Sequence, residues 1–487
     1  MNADRTVALE PLLSRLPEAR VTGDRSGSIT AIEMDSRKVE PGALFVALHG
    51  AQSDGHRYIA DALARGARAL VVDERVDDVP PGVTLIRVAD TRRALSGLAA
   101  AFFDDPSQRL DVIGVTGTNG KTTVAHMVAA ICNGAGMPCG LLGTIGAKFG
   151  VHRWALDNTT PLPPVLHGLL AQMRRHGAKA VAMEVSSHAL VLDRVDDVRF
   201  RVAALTNVAR DHLDFHETLE AYAAAKRSLF TLAPAGVLNV DDPYGANWAR
   251  ELEGEGRTVV TYGEREDAIL VPTQIVSEPD RTLFTLDGRR FELRLPGRFN
   301  IWNALAAIGI GRLLGIDDAT AAAALERVER VAGRMERLTA GGVAVVVDYA
   351  HTPDALENAL RSLRETAAGA LAVVFGCGGD RDRGKRSQMG AIASALADRA
   401  YVTSDNPRSE DPRAIIDDIV GGIEGANYVI ESDRRLAIER AIAEARPGDV
   451  VLVAGKGHET YQIVGEEIVP FDDAAVACEA LAARAPR

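Results

Sequence analysis

Apolar residues along this chain fall into short continuous runs that alternate with stretches of helical spacing. Runs over 43–48, 69–72 and 84–88 read as strands divided by Gly- and Pro-bearing turns, and 58–65 reads as a helix among them. Residues 1–90 are therefore expected to form a small N-terminal α/β domain. A helix over 91–103 leads into an apolar strand that opens at a glycine-rich turn and continues as a helical segment to Gly134. Strands over 180–185, 200–206 and 236–240 then alternate with helical patterns over 167–176 and 219–231, which predicts a parallel sheet with helices on its faces. Residues 282–286 and 291–295, joined across Asp287-Gly288, predict a hairpin, and 303–314 predicts an Ala-rich helix. Near Gly333-Arg334 the pattern restarts, with strands over 343–347, 370–375, 400–403 and 449–453, each followed by a loop and a helical segment. The fold class is α/β in three domains: 1–90, a central doubly wound parallel sheet over 91–334, and a second doubly wound domain over 335–487.

Composition narrows the function. The chain has 487 residues, 47% hydrophobic and 25% charged, as in an ordinary globular enzyme. Its net charge of −12 argues against non-specific nucleic-acid binding, so an anionic ligand needs a local basic or N–H-lined pocket. Cys132, Cys139, Cys377 and Cys478 are scattered with no C-x-x-C pair, which indicates neither a zinc site nor a disulfide framework. No apolar run reaches membrane-span length, and Glu10, Arg15, Glu18 and Arg20 stand where a signal peptide needs an apolar core. A cytoplasmic enzyme without membrane insertion is expected.

The candidate chemistry sits at strand ends. In GTNGKTT (Gly117, Thr118, Asn119, Gly120, Lys121, Thr122, Thr123) backbone N–H groups and a helix N-terminus can cradle phosphates. Lys121 would reach the terminal phosphates and the Thr122 hydroxyl would hold Mg²⁺. Val115 replaces the first glycine of the strict P-loop form, so a plain strand–helix turn is the competing reading. Glu184 ends a strand facing that mouth and is either an Mg²⁺ ligand or a satisfied rim carboxylate. His212 lies in the polar cluster 211–214, where a structural role competes. Lys226, in EAYAAAK, reads by itself as a solvated lysine. In the last domain four polar loops occupy strand ends, at 348–351, 376–381, 405–408 and 455–459. There Arg381, Arg408 and Glu459 can hold a zwitterionic substrate, or the arginines can serve loop-stabilising ion pairs.

Taken together, GTNGKTT, MEVSSHAL (183–190), TNVARDHLDFH (206–216), EAYAAAK (220–226), RFNIWNALAA (298–307) and VDYAHTPDAL (347–356) resemble the Mur ligase family, in order and over nearly the whole chain. That resemblance implies a P-loop central domain, a Rossmann-like C-terminal domain that binds the amino acid, and an N-terminal domain for the UDP-linked precursor. It further implies ATP, Mg²⁺ and CO₂ as cofactors, the last as a carbamate on Lys226. Glu184, His212, Lys226 and Thr122 are then the metal contacts, with Lys121 the catalytic lysine. Asn303, Arg334, Asp348 and His351 complete the ATP site. Met34, Ser36, Ala51, Gln52, Ser53, Asn158, Thr159, Thr160, Ser186 and Arg194 would contact the UDP-precursor. Arg381, Asp405, Asn406, Pro407, Arg408, Gly455 and Glu459 would hold diaminopimelate, since DNPR (405–408) resembles the motif associated with that amino acid rather than lysine. Leu192 stands at a usual glutamine position and Ser387 at a usual proline.

The implied reaction is ATP-dependent amide ligation through an acyl phosphate. The substrates are UDP-N-acetylmuramoyl-L-alanyl-D-glutamate and meso-diaminopimelate, small molecules met by a monomer, with the C-terminal domain closing on the P-loop domain. A lysine-adding ligase, a folylpolyglutamate synthase and a P-loop ATPase switch without ligation are the alternatives.

Overall fold

The structure is a computed structural model that describes residues 5–50, 53–74, 76 and 79–484. The chain divides into two compact units. The first comprises the described residues up to Gly114, Met137–Ala203 and Ser228–Pro234; the second comprises Val115–Gly136, Ala204–Arg227 and everything described from Ala235 onward.

In the first unit a five-stranded sheet has the order Arg20–Thr22, Thr84–Arg87, Ala69–Val72, Leu44–Val46, Ile32–Glu33. Its first pair is antiparallel and the rest are parallel. Side chains alternate across it with the strand period of two. Leu44, Val46, Ala69 and Val71 pack with Leu95, Leu98 and Phe102 of helix Thr91–Phe102, whereas Phe45, Leu70 and Val72 face Ile59 and Ala62 of helix Ile59–Ala64. Both faces are thus covered, which explains why these strands are nearly continuous apolar runs. Strand Ala180–Glu184 runs parallel to Cys139–Gly143, as expected of the central sheet. Beyond it the expectation of a wholly parallel sheet fails: Gly146–Phe149 and His152–Trp154 add an antiparallel hairpin, so the sheet is mixed.

In the second unit, Ala235–Asn239 pairs in parallel with Thr258–Tyr262. A three-stranded antiparallel sheet follows, in which Leu286 pairs with Arg289 across the tight Asp287-Gly288 turn. Both turn residues have positive φ, the primed geometry of a two-residue hairpin. The return strand is therefore Arg289–Leu293 rather than the expected 291–295, because the turn hands directly to two exposed arginines that do not read as strand. The expected helix over 219–231 ends at Arg227 and continues as a 3₁₀ turn, Ser228–Thr231.

The last sheet has six strands in the order Glu336–Ala340, Val343–Asp348, Val450–Ala454, Leu371–Phe375, Arg399–Val402, Tyr428–Ile430. All pairs are parallel except the first. Ala344, Val346, Val373, Phe375 and Leu452 face helices Pro353–Thr366, Gly384–Leu396 and Pro412–Val420, while Val345, Val347, Val374 and Val453 face Arg434–Glu444 and Asp473–Arg484. This is the doubly wound arrangement expected. One ion pair lies wholly inside it: Arg434 grips Asp473 through two bonds of 2.8 and 2.7 Å, and both side chains are fully buried.

Candidate active site

Strand Asp111–Thr116 runs into helix Lys121–Gly134 through a loop whose shape only glycine allows at two points. Gly117 has φ +144° and Gly120 φ +86°. A methyl group on Gly117 would lie 1.8 Å from Thr206 Oγ1, and one on Gly120 would lie 2.4 Å from Asn303 Oδ1. The backbone is thus pressed against its neighbours, leaving a cradle of N–H groups at a helix N-terminus, which suits an anion. Lys121 Nζ donates to the carbonyls of Gly117 and Thr118, both at 2.8 Å. Thr122 Oγ1 accepts from Arg334 Nη2 at 3.0 Å, and Asn119 Nδ2 donates to Asp354 Oδ2 at 2.7 Å. Asn207 braces the same loop, accepting the Asn119 N–H on its side chain and the Thr118 N–H on its carbonyl.

Lys226 is the largest departure from a residue-by-residue reading. It is 1% exposed, so the solvated-lysine expectation is wrong: the helix presents Lys226 and Tyr222 inward, and the other side to solvent. Its Nζ donates to the Gly117 carbonyl at 2.8 Å and sits 4.1 Å from the centre of the Tyr222 ring. Burial, reinforced by the nearby Lys121 cation, pushes its amine well below the usual lysine range, with Asp211 opposing. Asp211 is itself buried. That alone would raise it, but His212, His351, Lys385 and Lys121 outweigh burial and bring it down to about 2. His212 Nε2 stands 3.2 Å from Asp211 Oδ2 and His351 Nε2 3.9 Å. His212 holds a left-handed φ of +54°, a strained conformation for a non-glycine residue. Asp348 accepts the Met335 N–H at 2.7 Å and is raised by burial, while the Arg334 guanidinium lies over the Tyr349 ring.

The four polar loops of the last sheet interlock at one rim. Asn406 accepts from Lys456 Nζ (3.0 Å) and donates to Glu459 (3.0 Å); Glu459 also accepts from Lys456 (3.2 Å) and from the Tyr349 hydroxyl (3.3 Å). Gly455 donates to the Asp348 carbonyl, Asp405 accepts Gln462 on its carbonyl, and the Pro407 carbonyl accepts the Glu410 N–H. Arg408, at φ +54°, donates to the Gly379 carbonyl at 2.8 Å, and Arg381 donates to the Asp380 carbonyl at 2.9 Å. Neither guanidinium forms an ion pair among the described residues, so the ion-pair alternative does not describe them. The loop's structural arginine is instead Arg386, 1% exposed and paired with Glu410 and Asp418. Burial and the neighbouring Arg381 charge depress the Arg408 guanidinium.

In the first unit, Glu184 closes its strand with both oxygens held by Thr144, one by the backbone N–H (2.8 Å) and one by the hydroxyl (3.0 Å). Thr144 contacts the Thr159 hydroxyl, next to Asn158 in the chain; Thr160 bridges Glu184, Ser186 and Arg194. Arg194 keeps a buried Nε without a hydrogen-bond partner among the described residues. Ser36 is buried in the 3₁₀ turn after Met34, and Ser53 contacts the Tyr58 hydroxyl. Ala51 and Gln52 lie outside the described residues. Residue-by-residue reading gave no role to Asp211, Asn207, Tyr222, Asp354 or Lys456. The DHLD and GKGHE strings place two of them in polar loops, but no spacing signals the others.

Three family models match in succession: "Mur ligase family, catalytic domain" over 28–103, "Mur ligase middle domain" over 115–311, and "Mur ligase, glutamate ligase domain" over 333–457. A UDP-N-acetylmuramoyl-L-alanyl-D-glutamate–2,6-diaminopimelate ligase of Chlorobaculum tepidum is 45% identical over 92% of each chain. One of Geobacillus thermodenitrificans is 44% identical over 98% of this chain and 99% of its own. A solved structure of a ligase of the same description superposes with a TM-score of 0.69 at 31% identity, covering 98% of this chain and 99% of that one. With its three α/β segments matched in order and its length shared almost end to end, the chain belongs to the Mur ligase family.

Proposed function

We propose that this chain is the ATP-dependent ligase that joins meso-2,6-diaminopimelate to UDP-N-acetylmuramoyl-L-alanyl-D-glutamate in cytoplasmic peptidoglycan precursor synthesis. The observation that carries the choice of amino acid is the pair Arg381 and Arg408, two guanidiniums at one rim without a carboxylate partner among the described residues. A ligand with a distal carboxylate would satisfy them through bidentate, charge-assisted bonds, while Glu459 and Asn406 offer acceptors to an ammonium group. Lysine lacks that carboxylate and would leave the guanidiniums unmatched. The reading keeps three domains, with boundaries near residues 90 and 334, and a monomer. No described helix is long and apolar enough to cross a membrane.

The reaction then follows from the groups at hand. The D-glutamate γ-carboxylate attacks the γ-phosphorus of ATP and ADP leaves. The diaminopimelate amine attacks the resulting acyl carbon, gives up a proton, and inorganic phosphate departs as the amide forms. Lys121 and the N–H groups of 117–121 stabilise charge on the transferring phosphoryl group. Asn303, packed against Gly120, and Asp348 would border adenine and ribose; Arg334 and His351 would line the phosphates. The oxygen and nitrogen donors Thr122, Glu184, His212 and a carbamylated Lys226 suit Mg²⁺, which supplies Lewis-acid neutralisation of phosphate charge when bound. An uncharged, buried amine is the form of Lys226 that can attack CO₂, losing one proton to give a carbamate anion. Asn158, Thr159, Thr160, Ser186, Arg194, Met34, Ser36 and the 51–53 segment would hold the UDP-precursor, with the orphaned Arg194 Nε as a donor for it.

The test is phosphate release with Mg²⁺-ATP and the UDP-dipeptide, supplied with diaminopimelate, L-lysine or neither, with product masses read in parallel. Release and a tripeptide mass only with diaminopimelate are expected. Turnover with lysine would overturn the role of the arginines, and release indifferent to any acceptor would indicate an ATPase.

A further inference from the structure

In the N-terminal sheet a second cluster of ligating groups flanks the 51–53 segment given above to the UDP-precursor and shares no residue with it. His49 and Asp54 face each other across an antiparallel bridge that closes the 50–53 segment, with Gly50 N donating to Ser53 O at 2.9 Å. His56 is the second residue of the 3₁₀ turn Gly55–Tyr58, where its N–H donates to the capping Asp54, and Asp73 follows the strand Ala69–Val72. One nitrogen of each imidazole and a carboxylate oxygen of Asp54 lie within 4.8 Å of one another. The rings are 4.8 Å apart and inclined by only 32°.

Both imidazoles span the same two carboxylates. His49 approaches Asp54 at 3.5 Å through Nδ1 and Asp73 at 3.1 Å through Nε2; His56 approaches them at 2.8 and 3.0 Å through the corresponding atoms. Two neutral rings carry two N–H protons for these four contacts, so two contacts set a nitrogen lone pair against a carboxylate oxygen. At His56 the contact to Asp73 is close but poorly aligned. The His56 side chain is 7% exposed, and its Nε2, although 3.0 Å from Asp73, forms no hydrogen bond. Thr91 donates weakly to the other Asp73 oxygen at 3.4 Å, and Arg92 donates to the His49 carbonyl. A cation among the lone pairs would remove the conflict.

We propose that His49, Asp54 and His56 form a binding site for a divalent transition ion of the zinc type, with Asp73 orienting the two imidazoles from behind. Two imidazoles and a carboxylate are the ligand set of Zn²⁺, Co²⁺ or Ni²⁺, whereas Mg²⁺ and Ca²⁺ are held chiefly by oxygen, with at most an occasional nitrogen. A carboxylate bonded to the far nitrogen of a ligating histidine is the usual support of such ions. Asp73 stands where that support belongs. Bound metal would join the two ends of the 50–53 segment to the 3₁₀ turn that follows.

The experiment uses the full chain, stripped with a chelator and returned to excess Mg²⁺ so that oxygen-ligand sites are filled. Co²⁺ is titrated with visible absorption as the readout, then displaced with Zn²⁺, in wild type, His49→Ala, Asp54→Asn and His212→Ala. Saturable 1:1 binding is expected, weakened about tenfold or more in His49→Ala and Asp54→Asn and unchanged in His212→Ala. Zn²⁺ should raise the melting temperature of wild type but not of His49→Ala. His56 is buried and its removal can unfold the domain, whereas the half-exposed His49 gives a folded variant. Absence of saturable Co²⁺ binding, equal affinity in His49→Ala, or loss of binding in His212→Ala instead would overturn the proposal.

Discussion

Lys226 Nζ donates to the carbonyl of Gly117 at 2.8 Å, the same carbonyl that accepts Lys121 Nζ. Two amines therefore converge on one oxygen at the floor of the phosphate cradle, and burial, with the Lys121 repulsion added, holds Lys226 well below its ordinary range. The neutral fraction at a given pH grows as the pKa falls, and the neutral amine is the form that reacts with CO₂. Lys226→Met removes both the buried amine and its desolvation cost, while Gly117 keeps Lys121 as a donor. Ligase turnover should fall by about a hundredfold or more, while the melting temperature stays level or rises by about 1–3 °C. Turnover and thermal scans of the same preparations check both, and depletion of CO₂ should lower wild-type turnover alone.

Gly117→Ala tests the cradle. The new methyl would meet Thr206 Oγ1 at 1.8 Å on a backbone at φ +144°, so the loop must move. A loss of at least about 2 kcal/mol of stability is expected, with nucleotide affinity falling in step. Denaturant unfolding and calorimetric titration with an ATP analogue measure the two.

Arg408 couples strain to recognition. Its φ of +54° favours glycine, so Arg408→Gly should relieve about 1 kcal/mol of backbone cost while removing the guanidinium. The variant is expected to be no less stable than wild type, yet its KM for diaminopimelate should rise about 30-fold or more, with that for ATP little changed. Equal rises in both constants would count against the assigned role.

Asp211 sets the acid response of the site. Its folded pKa of about 2 lies below the ordinary aspartate value of 3.8, so it contributes stability that is complete above pH 4 or so and is lost as pH falls towards 2. That difference amounts to roughly 2 kcal/mol at pH 4–5, where the histidines that lower it are charged. Asp211→Asn should be less stable by about that amount at pH 4–5 and nearly equal to wild type near pH 2. Urea midpoints across this range would show the two curves converging.

The parts legible from the chain are those where one local rule decides. Strands such as Val450–Ala454 are buried on both faces and end in polar, glycine-bearing loops, so position and role are written in consecutive residues. Lys226 was not legible in this way. Tyr222 and Lys226 are one turn apart on a helix rich in alanine, where small residues leave the inward face unmarked. The edge hairpin Gly146–Trp154 carries little sequence signal because its strands are short, partly exposed and interrupted by Gly150. The histidine–aspartate cluster joins residues 24 positions apart, from His49 to Asp73, through a sheet pairing that no motif announces.

The Arg434–Asp473 pair has a consequence for how the chain is made. The guanidinium is buried in the last sheet, and its carboxylate partner comes 39 positions later. During synthesis the sheet cannot close around Arg434 without stranding a charge until Asp473 has emerged, because breaking such a buried pair costs about 3–5 kcal/mol. Chains that stop short of residue 473 should therefore be recognised by proteases as unfinished, whereas chains ending a few residues beyond helix Asp473–Arg484 should resist digestion. Digestion of ribosome-released fragments of graded length would place the step to resistance after Asp473; a step before it would refute this ordering. The pair thus ties closure of the last sheet to the arrival of helix Asp473–Arg484.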